Sequence, residues 1–384
     1  MSETTTQTFT KRTTSPFRYD VVGSFLRPLS LKRAREQSAN HEINAVELKQ
    51  VEDQSIIELL RREENAGLHA VTDGEFRRSW WHLDFFWGLQ GVEKVSLDSG
   101  YSFHDEETRA ESARLTGLLS GENHPFVEHF KFTQKHASDT VLVKQTIPAP
   151  AQFLAELQRP ENLKATQAFY PTDDDLIEGI AKAYHHVILD LYNAGCRNVQ
   201  LDDCTWGMLV SQHDGARPDA SQDEERLTIL KQQYVTVNNK AIAGLPDDLT
   251  VNTHICRGNY HSTWASAGGY DSVADPLFNQ ENVSAYFLEY DTERAGGFEP
   301  LKKVSTDKLV VLGLVTSKDG KLEDPKVIID RIHEAGKYVP LDRLCLSTQC
   351  GFASTEEGNV LTEEQQWAKI ELVKKVATAV WGEG

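Results

Sequence analysis

The chain is poor in the features that mark several large protein classes. No stretch approaches the roughly 18 consecutive apolar residues of a membrane-spanning helix. That excludes a helical membrane span. Residues 1–15, MSETTTQTFTKRTTS, are polar and lack the apolar centre of a secretory signal. Positive charge is in deficit: 40 Lys and Arg stand against 58 Asp and Glu, a formal net charge of −18. A surface built for nucleic acid or for anionic lipid wants clustered Lys and Arg, so neither partner is expected. Cysteine is sparse and odd in number, with Cys196, Cys204, Cys256, Cys345 and Cys350 spread over 384 residues. This is no disulfide framework. A reducing cytoplasm suits it better, and there a Cys close to a His points to metal or catalysis.

The chain has eight short apolar runs, most of them separated by amphipathic stretches. The runs are 18–25, 69–75, 140–150, 198–204, 249–258, 285–291, 308–317 and 344–352. Helical spacing is clear in 44–66, 174–194, 222–243, 325–336 and 362–381, the last opening on a capping box of Thr362 and Gln365. This alternation predicts an α/β protein, a (β/α)8 TIM barrel, with an open doubly wound sheet as the alternative. Residues 88–138 break the rhythm with extra strand-like runs and are expected to be an insertion between strands 2 and 3. Residues 1–17 are expected to form a flexible tail before a single catalytic domain over 18–384.

In such barrels the chemistry gathers at the C-terminal ends of the strands. There the sequence places Gly23 and Ser24; Asp73, Gly74 and Glu75; Asp202, Asp203 and Cys204; His254 and Cys256; Glu289 and Asp291; Cys350 and Gly351. His254 and Cys256, two apart on a strand, point to the same side. With Cys350 they offer three ligands of the kind zinc takes, and Glu289 is the natural fourth. Two sulfurs disfavour magnesium, calcium and manganese. Cys204 is the alternative ligand, and Cys196 and Cys345, near strand starts, read as structural. A zinc with two thiolate ligands is a weak Lewis acid. It suits holding a substrate thiol as a thiolate that stays nucleophilic, hence alkyl transfer to sulfur.

These residues carry a family resemblance. VGSF (22–25), DGE (73–75), QLDD (200–203), HIC (254–256), Glu289 and STQCGF (347–352) resemble, in order, the catalytic domain of cobalamin-independent methionine synthase, closest to its short single-domain relatives. The resemblance implies a zinc-dependent S-methyltransferase of methionine biosynthesis that acts on homocysteine. It places zinc on His254, Cys256, Glu289 and Cys350, the homocysteine carboxylate at Gly23 and Ser24, and its ammonium group at Glu75 and Asp202. The second, N-terminal half of the full-length enzymes is absent. The methyl donor is therefore open between a methyltetrahydrofolate and a corrinoid carried by a partner protein. Where the family has a proton-transferring histidine, this chain reads LVTSKDG (314–320), which makes Lys318 the candidate catalytic residue. The aromatic stretch SWWHLDFFWG (79–88) is expected to form either a wall for a flat donor or a packed helix, with Arg77, His82 and Arg257 as lesser candidates. An alkyltransferase acting on another thiol such as coenzyme M, a decarboxylase of the uroporphyrinogen type and a non-catalytic zinc or homocysteine binder are the rival readings. HIC and QCG argue against the decarboxylase, which needs no zinc. An oligomer is compatible with the sequence.

Overall fold

A computed structural model of the chain describes residues 9–213 and 224–382. Its strands are β1 (Tyr19–Asp20), β2 (Ala70–Val71), β3 (Gln90–Ser96), β4 (Glu111–Ser120), β5 (Leu142–Val143), β6 (Gln145–Pro148), β7 (Asn198–Asp203), β8 (Thr250–Ile255), β9 (Ala285–Glu289), β10 (Leu309–Val315) and β11 (Leu344–Thr348). Seven of them form one curled parallel sheet in the order β1-β11-β10-β9-β8-β7-β6. β2 pairs in parallel with β5, and only Lys144 separates β5 from β6, so β2 continues the row. The fold is α/β and TIM-barrel-like. Each of the eight apolar runs contains a strand.

β1 and β2 are only two residues long because side chains take over from the ladder. The buried Glu63 carboxylate accepts from Thr72 N, and Asp20 Oδ1 accepts from Val21 N. Between the two strands, Thr72 Oγ1 donates to Gly23 O at 2.6 Å and Phe25 N donates to Gly74 O at 3.2 Å. Alternation along the strands turns every second residue towards the sheet's concave face. Val22, Phe287, Val311 and Cys345 form a small apolar layer separate from the main core.

The helices follow the sequence closely. Asn44 and Glu47 form a capping box at the start of Ala45–Ala66, and Thr362 and Gln365 form the expected one before Glu363–Trp381. Asp173–Asn193 packs its apolar stripe on the core and ends near Gly195. Between β2 and β5 in chain order lie a short helix (Leu83–Gly88), the antiparallel hairpin β3–β4 and a helix over Pro125–His136. That last helix begins within the run 114–126, which the sequence pattern suggested as strand. It is started by Pro125 at its first turn and by His124 Nδ1, which accepts from Phe126 N.

Residues 1–8 of the expected tail lie outside the described residues. Residues 9–17 are bound to the body. Thr10 donates from N and Oγ1 to the two Asp342 oxygens at 2.7 and 2.6 Å, and Ser15 and Phe17 are buried.

Candidate metal centre

The centre is assembled from three strand ends of the curled sheet, two of them adjacent and the third one strand further on. His254 and Cys256 come from the end of β8, Glu289 from the last position of β9, and Cys350 from just beyond β11. All four are buried, and their ligand atoms lie within 4.8 Å of one another, the only such group among the described residues. Cys256 Sγ and Cys350 Sγ are 3.9 Å apart. Two sulfurs at ~2.3 Å from a tetrahedral zinc stand about 3.8 Å apart.

The orientation of each group serves the cluster. His254 Nδ1 meets Phe287 O at 3.3 Å, which turns Nε2 inwards, where it is buried without a partner. Glu289 Oε1 accepts from Arg257 N at 2.9 Å, and its Oε2 is likewise buried and unpartnered, with Arg294 Nη2 at 3.6 Å. Gly258 N donates to Cys256 Sγ at 3.4 Å. Burial raises the Glu289 carboxyl to about 8. The Cys204 and Cys350 thiols, as donors, and the His254 ring hold the Cys256 thiol well below its ordinary value. The Cys350 and Cys204 thiols are pushed up, first by sharing a proton with Cys256 and then by burial. Acidic groups crowded this tightly, with His254 Nε2 orphaned beside them, suit a cation, and the donor set fits tetrahedral zinc.

A cavity of about 790 Å³ opens over Cys256, Cys350 and His254, and its wall also carries Ser24, Glu75 and Asp202. Three segments far apart in sequence thus meet over the cluster. Gly23 has φ +150°, and a Cβ there would lie 2.6 Å from Thr146 Cγ2, so the turn into Ser24 demands glycine. Ser24 Oγ accepts from Ala353 N at 3.2 Å, and Ser24 O accepts from Phe352 N. Glu75 sits at φ +61°, with Oε1 accepting from Thr146 Oγ1 at 2.8 Å and 3.2 Å from Arg78 Nη1, while Oε2 has no partner. Asp202 Oδ1 accepts from Gln200 Nε2 at 2.8 Å. Burial raises the Asp202 carboxyl to about 7 and the Glu75 carboxyl above its ordinary range, each also felt through neighbouring charge. Two carboxylates in one cavity wall are able to pair with a cationic group.

Lys318 lies apart from this wall. Its ammonium donates to Gly258 O, Asn259 Oδ1 and Thr263 O at 2.9–3.0 Å, so all three of its protons are engaged in anchoring the loop after β8. Of the aromatic stretch, Trp80, Trp81 and His82 line the cavity, whereas Phe85 and Phe86 lie in the core. Tyr101 and Phe103, from the loop of the hairpin, join Tyr260 and Trp264 on the same wall. Arg77 faces away and pairs with Glu52 and Asp53. Arg257 lies behind Glu289, over the Tyr270 ring. Cys204 lines the cavity beside Cys256 but is not one of the four clustered ligands. Cys345 belongs to the apolar layer, and Cys196 is buried.

Sequence reasoning missed the groups that hold these residues in place. Buried Arg27 donates to four carbonyls, those of Phe25, Glu75, Arg78 and Ala353, and so ties together the loops after β1, β2 and β11. Nothing in the run SFLRP distinguishes it from a surface arginine. Arg78, three residues after Glu75, was the one such residue with a signal in its spacing.

Comparison with known proteins agrees with the geometry. The family model described as "Cobalamin-independent synthase, Catalytic domain" matches residues 17–377. The uncharacterized protein YxjG of Bacillus subtilis is 45% identical over 99% of this chain and 100% of its own length. A methionine synthase of Saccharolobus solfataricus is 24% identical, covering 86% of each chain. The crystal structure of a candidate vitamin-B12-independent methionine synthase from Listeria monocytogenes superposes with a TM-score of 0.75 at 36% identity, over 96% of this chain and 99% of that one. The chain belongs to the family of the cobalamin-independent synthase catalytic domain.

Proposed function

We propose that this protein is a zinc-dependent methyltransferase that moves a methyl group onto the sulfur of homocysteine and so makes methionine. One observation carries the reading: four buried ligands of zinc type converge, three of them lining a cavity whose wall presents a hydroxyl and two carboxylates. The names borne by the Listeria and Saccharolobus relatives support the same acceptor. Ser24, with the backbone at Gly23, holds the substrate carboxylate. Glu75 and Asp202 hold its ammonium group, and the same two carboxylates disfavour a thiol that carries a sulfonate.

His254, Cys256, Glu289 and Cys350 hold the metal, which when bound keeps the substrate sulfur deprotonated and nucleophilic at neutral pH. The thiol proton is released, the bond between methyl and donor breaks, and the bond between methyl and sulfur forms. The aromatic side of the cavity suits a flat donor of the methyltetrahydrofolate type, with a corrinoid on a partner protein as the other candidate. Lys318 anchors the loop that follows the ligands, and a proton-carrying role requires it to leave that anchorage. In this reading the bonds between the β1 and β2 segments close the sheet into an eight-stranded barrel, with the β3–β4 hairpin as its insertion. The five free cysteines suit a reducing cytoplasm.

The test is a calorimetric titration of L-homocysteine into the zinc-loaded chain at pH 8, in two buffers of different ionisation enthalpy. Binding of one ligand with about one proton released is expected. No binding by a chain that carries one zinc overturns the reading.

A further inference from the structure

Beneath the cavity lies a charged group that the proposed reaction does not use. Lys144 and Asp20 form an ion pair at 2.7 Å, and both side chains are fully buried. Lys144 Nζ also donates to Val21 O at 2.5 Å and to Gln200 Oε1 at 3.2 Å. Gln200 Nε2 in turn donates to Val22 O at 2.7 Å and to Asp202 Oδ1 at 2.8 Å.

The chemistry of the donors makes this chain directional. An ammonium group has no lone pair, so only the oxygen of the Gln200 amide can face Lys144. The two amide protons must then face Val22 O and Asp202. A second arrangement would set N–H against N–H at one end and oxygen against carboxylate at the other. Stability alone is a weak reason for such a group. A buried ion pair costs several kcal/mol in desolvation, and replacing one with apolar side chains is often neutral or stabilising.

We infer that Lys144 and Asp20, acting through Gln200, are positioning residues for the ammonium end of the substrate. The inference rests on the reading of Asp202 as an ammonium receptor. Lys144 fixes which way the Gln200 amide points. Gln200 holds one Asp202 oxygen and leaves the rest of the carboxylate to the cavity. The same ammonium ties down Val21, and Gln200 ties down Val22, the two residues that lead into Gly23 and Ser24. Both ends of the amino-acid pocket are therefore referenced to a single buried cation.

The test compares two ligands by calorimetry on the zinc-loaded full chain. L-homocysteine carries thiol, carboxylate and ammonium; 4-mercaptobutyrate is the same molecule without the amine. Gln200→Leu keeps the ion pair and cuts its link to Asp202. The double variant Asp20→Asn with Lys144→Met removes both charges and leaves no lone buried ion. For both variants the homocysteine Kd is expected to rise roughly 10- to 100-fold, as for loss of a hydrogen bond to a charged group. The 4-mercaptobutyrate Kd should stay within about twofold, and bound zinc, counted by mass spectrometry, should stay at one per chain. An unchanged homocysteine Kd overturns the inference. So does equal weakening of both ligands, which marks a general structural role. If the unaltered chain fails to bind homocysteine, the functional reading itself has failed and the inference goes with it.

Discussion

Replacing Asp202 with asparagine tests the ammonium pocket where it is most exposed to measurement. Burial raises this carboxyl to about 7, and the neighbouring Glu75 charge pushes the same way. His254 pulls the other way, which leaves a midpoint of about 7. The carboxylate offers its attraction only when ionised. Its contribution to binding is therefore present above that midpoint and lost as the pH falls through it. A charge-assisted hydrogen bond is worth about 1.5–3 kcal/mol, or roughly 10- to 150-fold in Kd. The substrate thiol also titrates, but its effect cancels in the ratio of variant to unaltered Kd. That ratio should stand at roughly 10 to 150 at pH 8. It should shrink by up to about tenfold per pH unit below the midpoint, towards one. Calorimetric Kd values for Asp202→Asn and the unaltered chain at half-unit steps from pH 5 to 8.5 give the curve. A ratio that is flat across this range would falsify the assignment, whatever its size.

Three further outcomes are expected. At Gly351 an added Cβ would lie 2.0 Å from Ser24 Oγ. Gly351→Ala should therefore weaken homocysteine and 4-mercaptobutyrate alike, and cost about 1–3 kcal/mol in a denaturant melt; tight binding of either ligand contradicts it. Arg27→Lys leaves one ammonium group to serve carbonyls on three loops, so a loss of roughly 2–4 kcal/mol in the same melt is expected, and a loss under 0.5 refutes the account. Glu281 is buried, accepts from Asn238 Nδ2 at 2.5 Å, and burial raises its carboxyl from 4.5 to about 8. Its folded value lies above the unfolded one, so stability falls as pH rises from about 4.5 to about 8, by a few kcal/mol at most. Glu281→Gln should flatten that part of the stability curve, and parallel curves for the two proteins would rule the cause out.

The strands were legible because each is a short apolar run bounded by helical periodicity, and the ligands because His254 and Cys256 share one face of a strand. The helix over Pro125–His136 was less so: the run RLTGLLSGENHPF (114–126) reads as a strand, and the cap comes from a histidine. Lys318 was legible by position but not by role, since its three acceptors lie 55 to 60 residues away. Lys144 and Asp20, 124 residues apart, look like ordinary charged residues until the sheet curls and brings them together. Periodicity reports what lies near in sequence. The supports of this site act across the curled sheet, so their meaning comes only once it has formed.

The pairing of β1 with β11 sets a timetable for biosynthesis. The Ala353 amide that bonds Ser24 is made 329 residues after it. Among the described residues β1 has β11 as its only strand partner, so β1 waits for β11. Cys350 follows Cys256 by 94 residues. At ribosomal speeds that is roughly 5–20 s during which one thiol exists without the other. A half-made chain thus offers metal only part of its site, and the substrate pocket has no floor until the final strand arrives. If the proposed function holds, the metal site is complete only once the β11 segment has been made.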